Sequence, residues 1–291
     1  MLNLSDNSRA INRVFSKKVL TDLIQHKSNE VYNYVVQSLV DNPKEKTNGE
    51  IISEIYDCLA HTYRSEYYYI NTLLNKLLGI HSVNTTTAFS QVKIGRHIAD
   101  FVMINGEGRV YEIKTDLDNF DRLTDQLIDY FKAFSKVSVL VSEHKRDRVE
   151  ELLSEMGEMG DAVGIYVLTE GDTIFSKTNG REPKIYNENL EHRCIFTLLR
   201  KQEYENILMD YFNEIPKVVP VFYFKECLAQ FSKIPILEAQ NMLFGQLKKR
   251  NGVTKTIFES VPAELKSVVY FSDLIKKTDK VNQFLQESYR G

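Results

Sequence analysis

The stretch Val110-Tyr-Glu-Ile-Lys-Thr115 decides the fold that we predict for this chain. It is a short apolar run that carries two charged residues, Glu112 and Lys114, and it is typical of a β-strand. Side chains alternate between the two faces of a strand, so residues two positions apart share a face. The sequence therefore predicts a glutamate and a lysine side by side on one face of a strand.

A second strand is predicted just before this one, in the run Ile98-Ala-Asp-Phe-Val-Met-Ile104. The link Asn105-Gly-Glu-Gly108 has the composition of a tight turn, so the two strands are expected to pair as a hairpin. This pairing would bring Asp100 close to Glu112. Strands this apolar rarely keep an acid without a partner, which favours a functional role for Asp100 over a solvated surface charge.

The pattern around the hairpin is typical of an α/β (α+β) domain, with a mixed β-sheet core flanked by helices. In chain order we expect a helix, three strands, a helix, a strand, a helix and a final hairpin. These elements are predicted at residues 65–78, 86–94, 98–104, 110–115, 121–134, 137–141, 146–156, 164–168 and 173–176.

Helical patterns without a chemical motif lie on both sides of this core. We expect an N-terminal helical segment at 1–48, a sheet domain at 49–185 and a C-terminal helical domain at 186–291. In the last part, helices are predicted at 194–211, 225–231, 237–250 and 272–288.

Composition excludes several classes of protein. Apolar residues make up 43% and charged residues 26% of the 291 residues, as in soluble globular proteins. The net charge of −3 is not that of a protein that coats nucleic acid without sequence preference, so any phosphate binding is expected to be local. The three cysteines form no CxxC pair, which excludes the usual zinc and iron–sulfur spacings.

The sequence gives no indication of a membrane protein. The N-terminus lacks the apolar core of a signal peptide, and the longest apolar run, at 218–224, is too short to span a bilayer. Scattered cysteines are typical of reduced thiols inside the cell. We therefore expect a cytoplasmic protein without a membrane partner.

The residues of the hairpin have a chemical logic. Two carboxylates repel each other by roughly 4 kcal/mol at about 4 Å in an effective dielectric near 20, and a divalent cation removes that repulsion. Oxygen ligands favour a hard ion, Mg²⁺ or Mn²⁺. Such an ion acidifies a bound water and stabilises charge on a phosphate, while Lys114 could hold that water. The set suits phosphodiester hydrolysis.

These residues also resemble a known signature. Asp100 followed by Glu112-Ile113-Lys114 is similar to the motif of the PD-(D/E)xK nuclease superfamily, although Ala99 stands where the motif has proline. The run Gln126-Leu-Ile-Asp-Tyr130 resembles the Q-x-x-x-Y motif of its RecB-type branch. The resemblance covers about residues 63–142, and the order of the predicted elements matches the core of that superfamily.

The resemblance implies a restriction-endonuclease-like fold and a metal site. By position in the motif, Asp100 and Glu112 would ligate the metal, with the backbone carbonyl of Ile113 as a third ligand. Glu66, on the preceding helix, stands where many members carry an extra acid. It would contact the metal through water or hold a second ion; the alternative is an ordinary surface glutamate.

The remaining motif residues would shape the reaction. Lys114 would position the attacking water, and Gln126 and Tyr130 would orient the site or touch the substrate backbone. Those two lie one helical turn apart, on one face of a helix. Without a functional role, Gln126 would be a solvated side chain, Tyr130 a core residue and Glu112–Lys114 a surface ion pair.

The hypothesis that follows is a metal-dependent nuclease, with Mg²⁺ or Mn²⁺ as cofactor and DNA as the favoured substrate. One alternative is a catalytically silent binding or regulatory module with a nuclease fold, acting in a defence or repair complex. Another is a small-molecule phosphohydrolase. The helical ends are candidates for a homodimer contact or for a protein partner.

Overall fold

The computed structural model describes residues 4–62, 64–175, 180–250 and 252–291. Within them the prediction of an α/β fold with a mixed sheet is confirmed. The chain divides into two units that do not follow the three consecutive segments expected from the sequence. The first consists of Met1–Asn84, Glu170–Ile174 and Val253–Gly291, and the second of Thr85–Thr169 and Phe175–Gly252.

The first unit begins with helices, and polar side chains cap the starts of the second and third of them. The helices are α1 (Leu4–Val14), α2 (Lys17–His26), α3 (Glu30–Leu39), α4 (Asn48–Thr62) and α5 (Glu66–Ile80). Asn29 precedes α3, and its Oδ1 accepts hydrogen bonds from the backbone N–H groups of Val31 and Tyr32. Such caps satisfy donors that a helix start leaves without partners.

The second unit contains the sheet. Its strands are β1 (Thr87–Ile94), β2 (His97–Asn105), β3 (Glu107–Lys114), β4 (Lys136–Ser142) and β5 (Gly164–Leu168). The two-residue β6 (Ile174–Phe175), of which only Phe175 is assigned to this unit, completes the order β1-β2-β3-β4-β5-β6. The pairs β1–β2 and β2–β3 are antiparallel, whereas β3–β4 and β4–β5 are parallel. The sheet is therefore mixed, as predicted. The predicted strand end at Ser176 lies outside the described residues.

Parallel neighbours need a crossover, and helices provide it. The connection from β3 to β4 contains α6 (Leu123–Phe131), and the connection from β4 to β5 contains α7 (Arg146–Glu155) and α8 (Glu158–Ala162). The apolar side of α6 packs on the sheet, because Leu127 and Tyr130 belong to the same buried cluster as Val102 of β2 and Val110 of β3.

The turn between β1 and β2 depends on Gly95. Ile94 pairs with His97, so only Gly95 and Arg96 connect the strands, and Gly95 has a φ of +60°. Glycine at the first position of a two-residue hairpin turn is the requirement of a type II′ turn. A Cβ on Gly95 would also lie 2.8 Å from Cγ of Asp129 on α6.

Gly95→Ala is therefore expected to destabilise the protein more than Gly106→Ala. Both glycines have positive φ, but a Cβ on Gly106 would meet nothing within 4 Å. We expect Gly106→Ala to lower the free energy of unfolding by about 1 kcal/mol and Gly95→Ala by about 1–3 kcal/mol more. Urea unfolding of the two variants measures the difference, and equal losses would contradict the close approach to Asp129.

The helices after the sheet differ from two predicted boundaries. They are α9 (His192–Thr197), α10 (Lys201–Phe212), α11 (Pro220–Phe231) and α12 (Ile236–Lys248). The single helix predicted at 194–211 is two helices. The helix predicted from Lys225 begins at Pro220, because proline has no N–H to lose and a suitable φ at the first helical position.

The rest of the chain returns to the first unit, with α13 (Lys255–Glu259), α14 (Lys266–Tyr270) and α15 (Thr278–Gln286). Asn48 ties α4 to α15, since its Nδ2 donates to the carbonyl oxygens of Phe284 and Glu287. The stretch expected as one C-terminal helical domain at 186–291 is thus divided between the two units.

In the part of the chain that the structure describes, no helix combines the length and apolar character that a membrane crossing needs. The three cysteines are free thiols. Cys194 and Cys227 are buried, and Cys58 is partly exposed.

Candidate active site

The candidate site is organised around the carboxylate of Glu112, which is only 2% exposed on β3. Three side chains donate hydrogen bonds to it: Lys114, Gln126 and Tyr130. We call these four residues the Glu112 network. A buried carboxylate needs such donors because burial removes it from water. The two predicted motifs, one on β3 and one on α6, therefore meet at a single carboxylate.

Lys114 and Gln126 both bind one oxygen of the Glu112 carboxylate, Oε1. The Lys114 Nζ donates to Glu112 Oε1 and to Gln126 Oε1, both at 2.9 Å. The Gln126 Nε2 donates to the same Glu112 oxygen. Gln126 and Lys114 are both 8% exposed. The pair is thus a buried ion pair bridged by an amide, and the solvated Gln126 and the surface ion pair considered from the sequence are both wrong.

Tyr130 fixes the other oxygen of Glu112. Its hydroxyl donates to Glu112 Oε2 at 2.7 Å and lies 2.9 Å from the carbonyl oxygen of Ile98 on β2. Burial raises the pKa of Tyr130 far above its usual value, and the negative charges of Glu112 and Asp100 raise it further. The hydroxyl therefore stays protonated and remains a donor. Tyr130 is completely buried, so it is a core residue that also serves the site.

Asp100 lies on β2 beside the network. Phe101 pairs with Tyr111 in the antiparallel ladder, and Asp100 and Glu112 are the next residues in register on these two neighbouring strands. The Oδ2 of Asp100 accepts a hydrogen bond of 2.8 Å from the backbone N–H of Ile113. Its Oδ1 lies 3.4 Å from Nε2 of Gln91, which donates to it. Backbone and side-chain donors thus orient the Asp100 carboxylate next to the residue that follows Glu112.

Glu66, the remaining predicted acid, is the first residue of α5 and belongs to the first unit. Among the residues with described positions, no group of three or more His, Cys, Asp and Glu side chains is arranged to hold a metal. The candidate site in the second unit therefore offers two carboxylates, those of Asp100 and Glu112. The backbone carbonyl of Ile113 could add a further oxygen ligand.

Asp129 was missed by sequence analysis. It lies between Gln126 and Tyr130 on α6, is 1% exposed and accepts three hydrogen bonds of 2.8 Å, from the backbone N–H of Arg96, Nδ1 of His97 and Nζ of Lys132. It joins α6 to the β1–β2 turn and thereby holds the helix that carries Gln126 and Tyr130. At 100° per residue Asp129 lies outside the apolar stripe that Leu123, Leu127 and Phe131 form, so the helical periodicity carried no signal for its burial.

The ionisation of Asp129 links stability to pH. Burial raises the pKa of Asp129, but the bonds from Lys132, Arg96 and His97 outweigh burial and lower it below its usual value. A lowered pKa means stability that is fully present above the unfolded value, about 3.9, and is lost as the pH falls through the folded value.

Asp129→Asn is therefore expected to lower the free energy of unfolding by about 2–3 kcal/mol at pH 7. The difference in free energy of unfolding between the variant and wild type should become smaller as the pH falls below about 4. Urea unfolding from pH 3 to 7 measures it. Asp125→Asn removes the same charge from an exposed position of α6 and should change little. A stability difference that grows at low pH would contradict the lowered pKa of Asp129.

Comparison with known proteins gives one family. The family model described as Bacteriophage P4 protein cII matches residues 59–269, well over half of the chain, and the matched span includes Glu66, Asp100 and the Glu112 network. Searches of curated proteins and of solved structures gave no match. The chain belongs to the Bacteriophage P4 protein cII family.

Proposed function

We propose that the second unit is a metal-dependent nuclease that hydrolyses phosphodiester bonds of nucleic acid, with DNA as the favoured substrate. One observation carries the proposal: the side chains of Lys114, Gln126 and Tyr130, from two separate motifs, all donate to Glu112, and Asp100 lies at the adjacent position of the next strand. A surface salt bridge would not require three donors to meet at one carboxylate. The family description names no reaction, so the proposal rests on the residues of this chain.

The donor set fits a hard divalent cation such as Mg²⁺ or Mn²⁺. Asp100 and Glu112 contribute carboxylate oxygens, Ile113 can add its carbonyl oxygen, and all three are hard ligands. The two carboxylates and the Lys114 ammonium sum to a formal charge of −1, which attracts a cation. When bound, such a cation acidifies a water molecule and stabilises negative charge on the phosphate. Asp100 and Glu112 would hold it.

The other residues have supporting roles in this proposal. Lys114 would bind the attacking water or a phosphate oxygen through its ammonium group. Gln126 would fix the position of that ammonium, because its Oε1 accepts from Lys114 while its Nε2 donates to Glu112. Tyr130 would keep the Glu112 carboxylate in one orientation. These contacts hold the Glu112 carboxylate and the Lys114 ammonium in fixed positions before a substrate binds.

The same network supports a second candidate, a nuclease-fold module that binds a partner without catalysis. An ionised carboxylate has about four acceptor positions, and three donors from the chain already fill most of those on Glu112. A cation at Glu112 would have to share it with these donors or displace one. If the side chains keep the carboxylate to themselves, the network is a structural core of a binding domain.

Cleavage assays separate the candidates. Supercoiled plasmid, single-stranded DNA, RNA and a nucleoside triphosphate are each incubated with the protein in Mg²⁺, Mn²⁺ or EDTA. The proposal expects DNA to be cut with either metal and left intact in EDTA. Hydrolysis of the triphosphate alone would favour a small-molecule phosphohydrolase. If no substrate is cut with either metal, the hydrolase proposal is wrong and the binding module is favoured.

A further inference from the structure

Large apolar side chains face solvent at the start of α11. Val219, Val221 and Phe222 are 58%, 79% and 55% exposed. Val218 and Phe224 extend the same stretch, so five exposed apolar residues fall within seven positions. We call these five residues the α11 surface. Single exposed apolar residues are ordinary, whereas a contiguous group of this kind is typical of an interaction site.

The α11 surface is not the side of the helix that packs on the second unit. Cys227 and Phe231, further along α11, are buried, and at 100° per residue both lie about 140° or more around the helix from Phe222. The Phe224 ring lies at the edge of the packed side, 5.2 Å from the ring of Phe196. The first turns of α11 are thus apolar on both sides, a pattern expected of a helix that is covered all round.

The size of the surface suits a protein contact. The exposed parts of the five side chains amount to roughly 400–500 Å² of apolar area, within the range of the largest patch on a typical monomer. Two such surfaces in contact would bury roughly 800–1,000 Å², enough for the apolar centre of an interface of about 1,600 Å².

The charges beside the surface favour a second copy of the chain. Glu214, Lys217, Lys225 and Glu226 flank it in sequence, and all four are exposed. These four residues, which we call the rim, carry two negative and two positive charges. Their net charge is zero, so they would not attract nucleic acid or a strongly charged partner. Across a two-fold axis, however, the same rim meets itself, and each sign can face its opposite.

We propose that the α11 surface is the contact of a symmetrical homodimer. Its apolar centre is formed by Val221 and Phe222, which occupy the outer side of the helix, and Lys225 continues that side toward the rim. The interface is isologous, so each side chain of one copy packs on the same stretch of the other. The proposal uses no residue of the Glu112 network, and it holds whether or not the protein is a nuclease.

The test measures the mass of the full chain in solution. Sedimentation velocity and light scattering are recorded across about a hundredfold range of concentration, because dimer formation depends on mass action. Wild type is expected to be a dimer. Val221→Asp with Phe222→Asp is expected to raise the dimer dissociation constant by about 100-fold or more, and the milder Val221→Ser should give a smaller rise while it preserves the helix.

Ile185→Asp is the matched control, because Ile185 is equally exposed, at 65%, elsewhere in the second unit. It should remain a dimer, and circular dichroism should show that every variant is folded. A wild type that is monomeric throughout would overturn the proposal, and so would a double aspartate variant that dimerises as wild type does. Binding of a monomeric wild type to anionic vesicles, lost in the double variant, would overturn it in favour of a membrane-surface contact.

Discussion

Asp100→Asn is expected to lower metal-dependent cleavage of DNA by about a thousandfold or more, without unfolding the protein. The substitution removes the negative charge that would hold the cation. It keeps a side-chain oxygen that can accept the hydrogen bond from the Ile113 N–H, so β2 and β3 should stay in register. The expected effect is therefore on the reaction and not on the fold.

Initial rates on plasmid DNA in Mg²⁺ and in Mn²⁺ measure this effect, and thermal unfolding of the same sample checks the fold. Asp125→Asn is the control, because it changes the same charge on the exposed side of α6 and should leave the rate unchanged. If Asp100→Asn cuts DNA at the wild-type rate, Asp100 has no part in the site.

Lys114→Met has the largest stability effect that we expect. The substitution keeps an unbranched side chain, one heavy atom shorter, but leaves the buried Glu112 carboxylate without its cationic partner. Removal of one partner of a buried ion pair destabilises by about 3–5 kcal/mol. The double variant Glu112→Gln with Lys114→Met removes both charges, so it should recover most of that loss. This result requires no activity and tests the geometry alone.

Urea unfolding in EDTA measures the four corners of this cycle: wild type, each single variant and the double variant. Lys136→Met is the control, because Lys136 pairs with the partly exposed Glu107 at the start of β3. That pair should contribute less than about 1 kcal/mol. If Lys114→Met loses no more than Lys136→Met, the buried ion pair is not formed as described.

The sheet was predictable because its patterns are local. Short apolar runs indicated the strands, and glycines marked the turns at Gly95 and Gly106. The helix after β3 followed from its amphipathic spacing. In the site, Glu112 and Lys114 share a face because they lie two apart on a strand, and Gln126 and Tyr130 share a face because they lie one turn apart on a helix.

Other features depend on contacts between residues far apart in the sequence. The local periodicity of apolar residues carries no information about such contacts. The bond that Lys114 donates to Gln126 requires that α6 lie over β3 at one particular rotation. The bond between Asp129 and His97 requires the β1–β2 turn to reach the same helix. The return of residues after 253 to the first unit likewise has no signal in the local pattern. The start of α11 was predicted at Lys225 and lies at Pro220, since proline is compatible with the first position of a helix.

The central claim is that Asp100 and Glu112 together hold a divalent cation, and Mn²⁺ binding measured by calorimetry tests it most directly. We predict that wild type binds Mn²⁺ at this site, that Asp125→Asn binds it with the same affinity, and that Asp100→Asn and Glu112→Gln each weaken binding by about tenfold or more. Wild type that binds no Mn²⁺, or binding that both site variants retain in full, would contradict the claim.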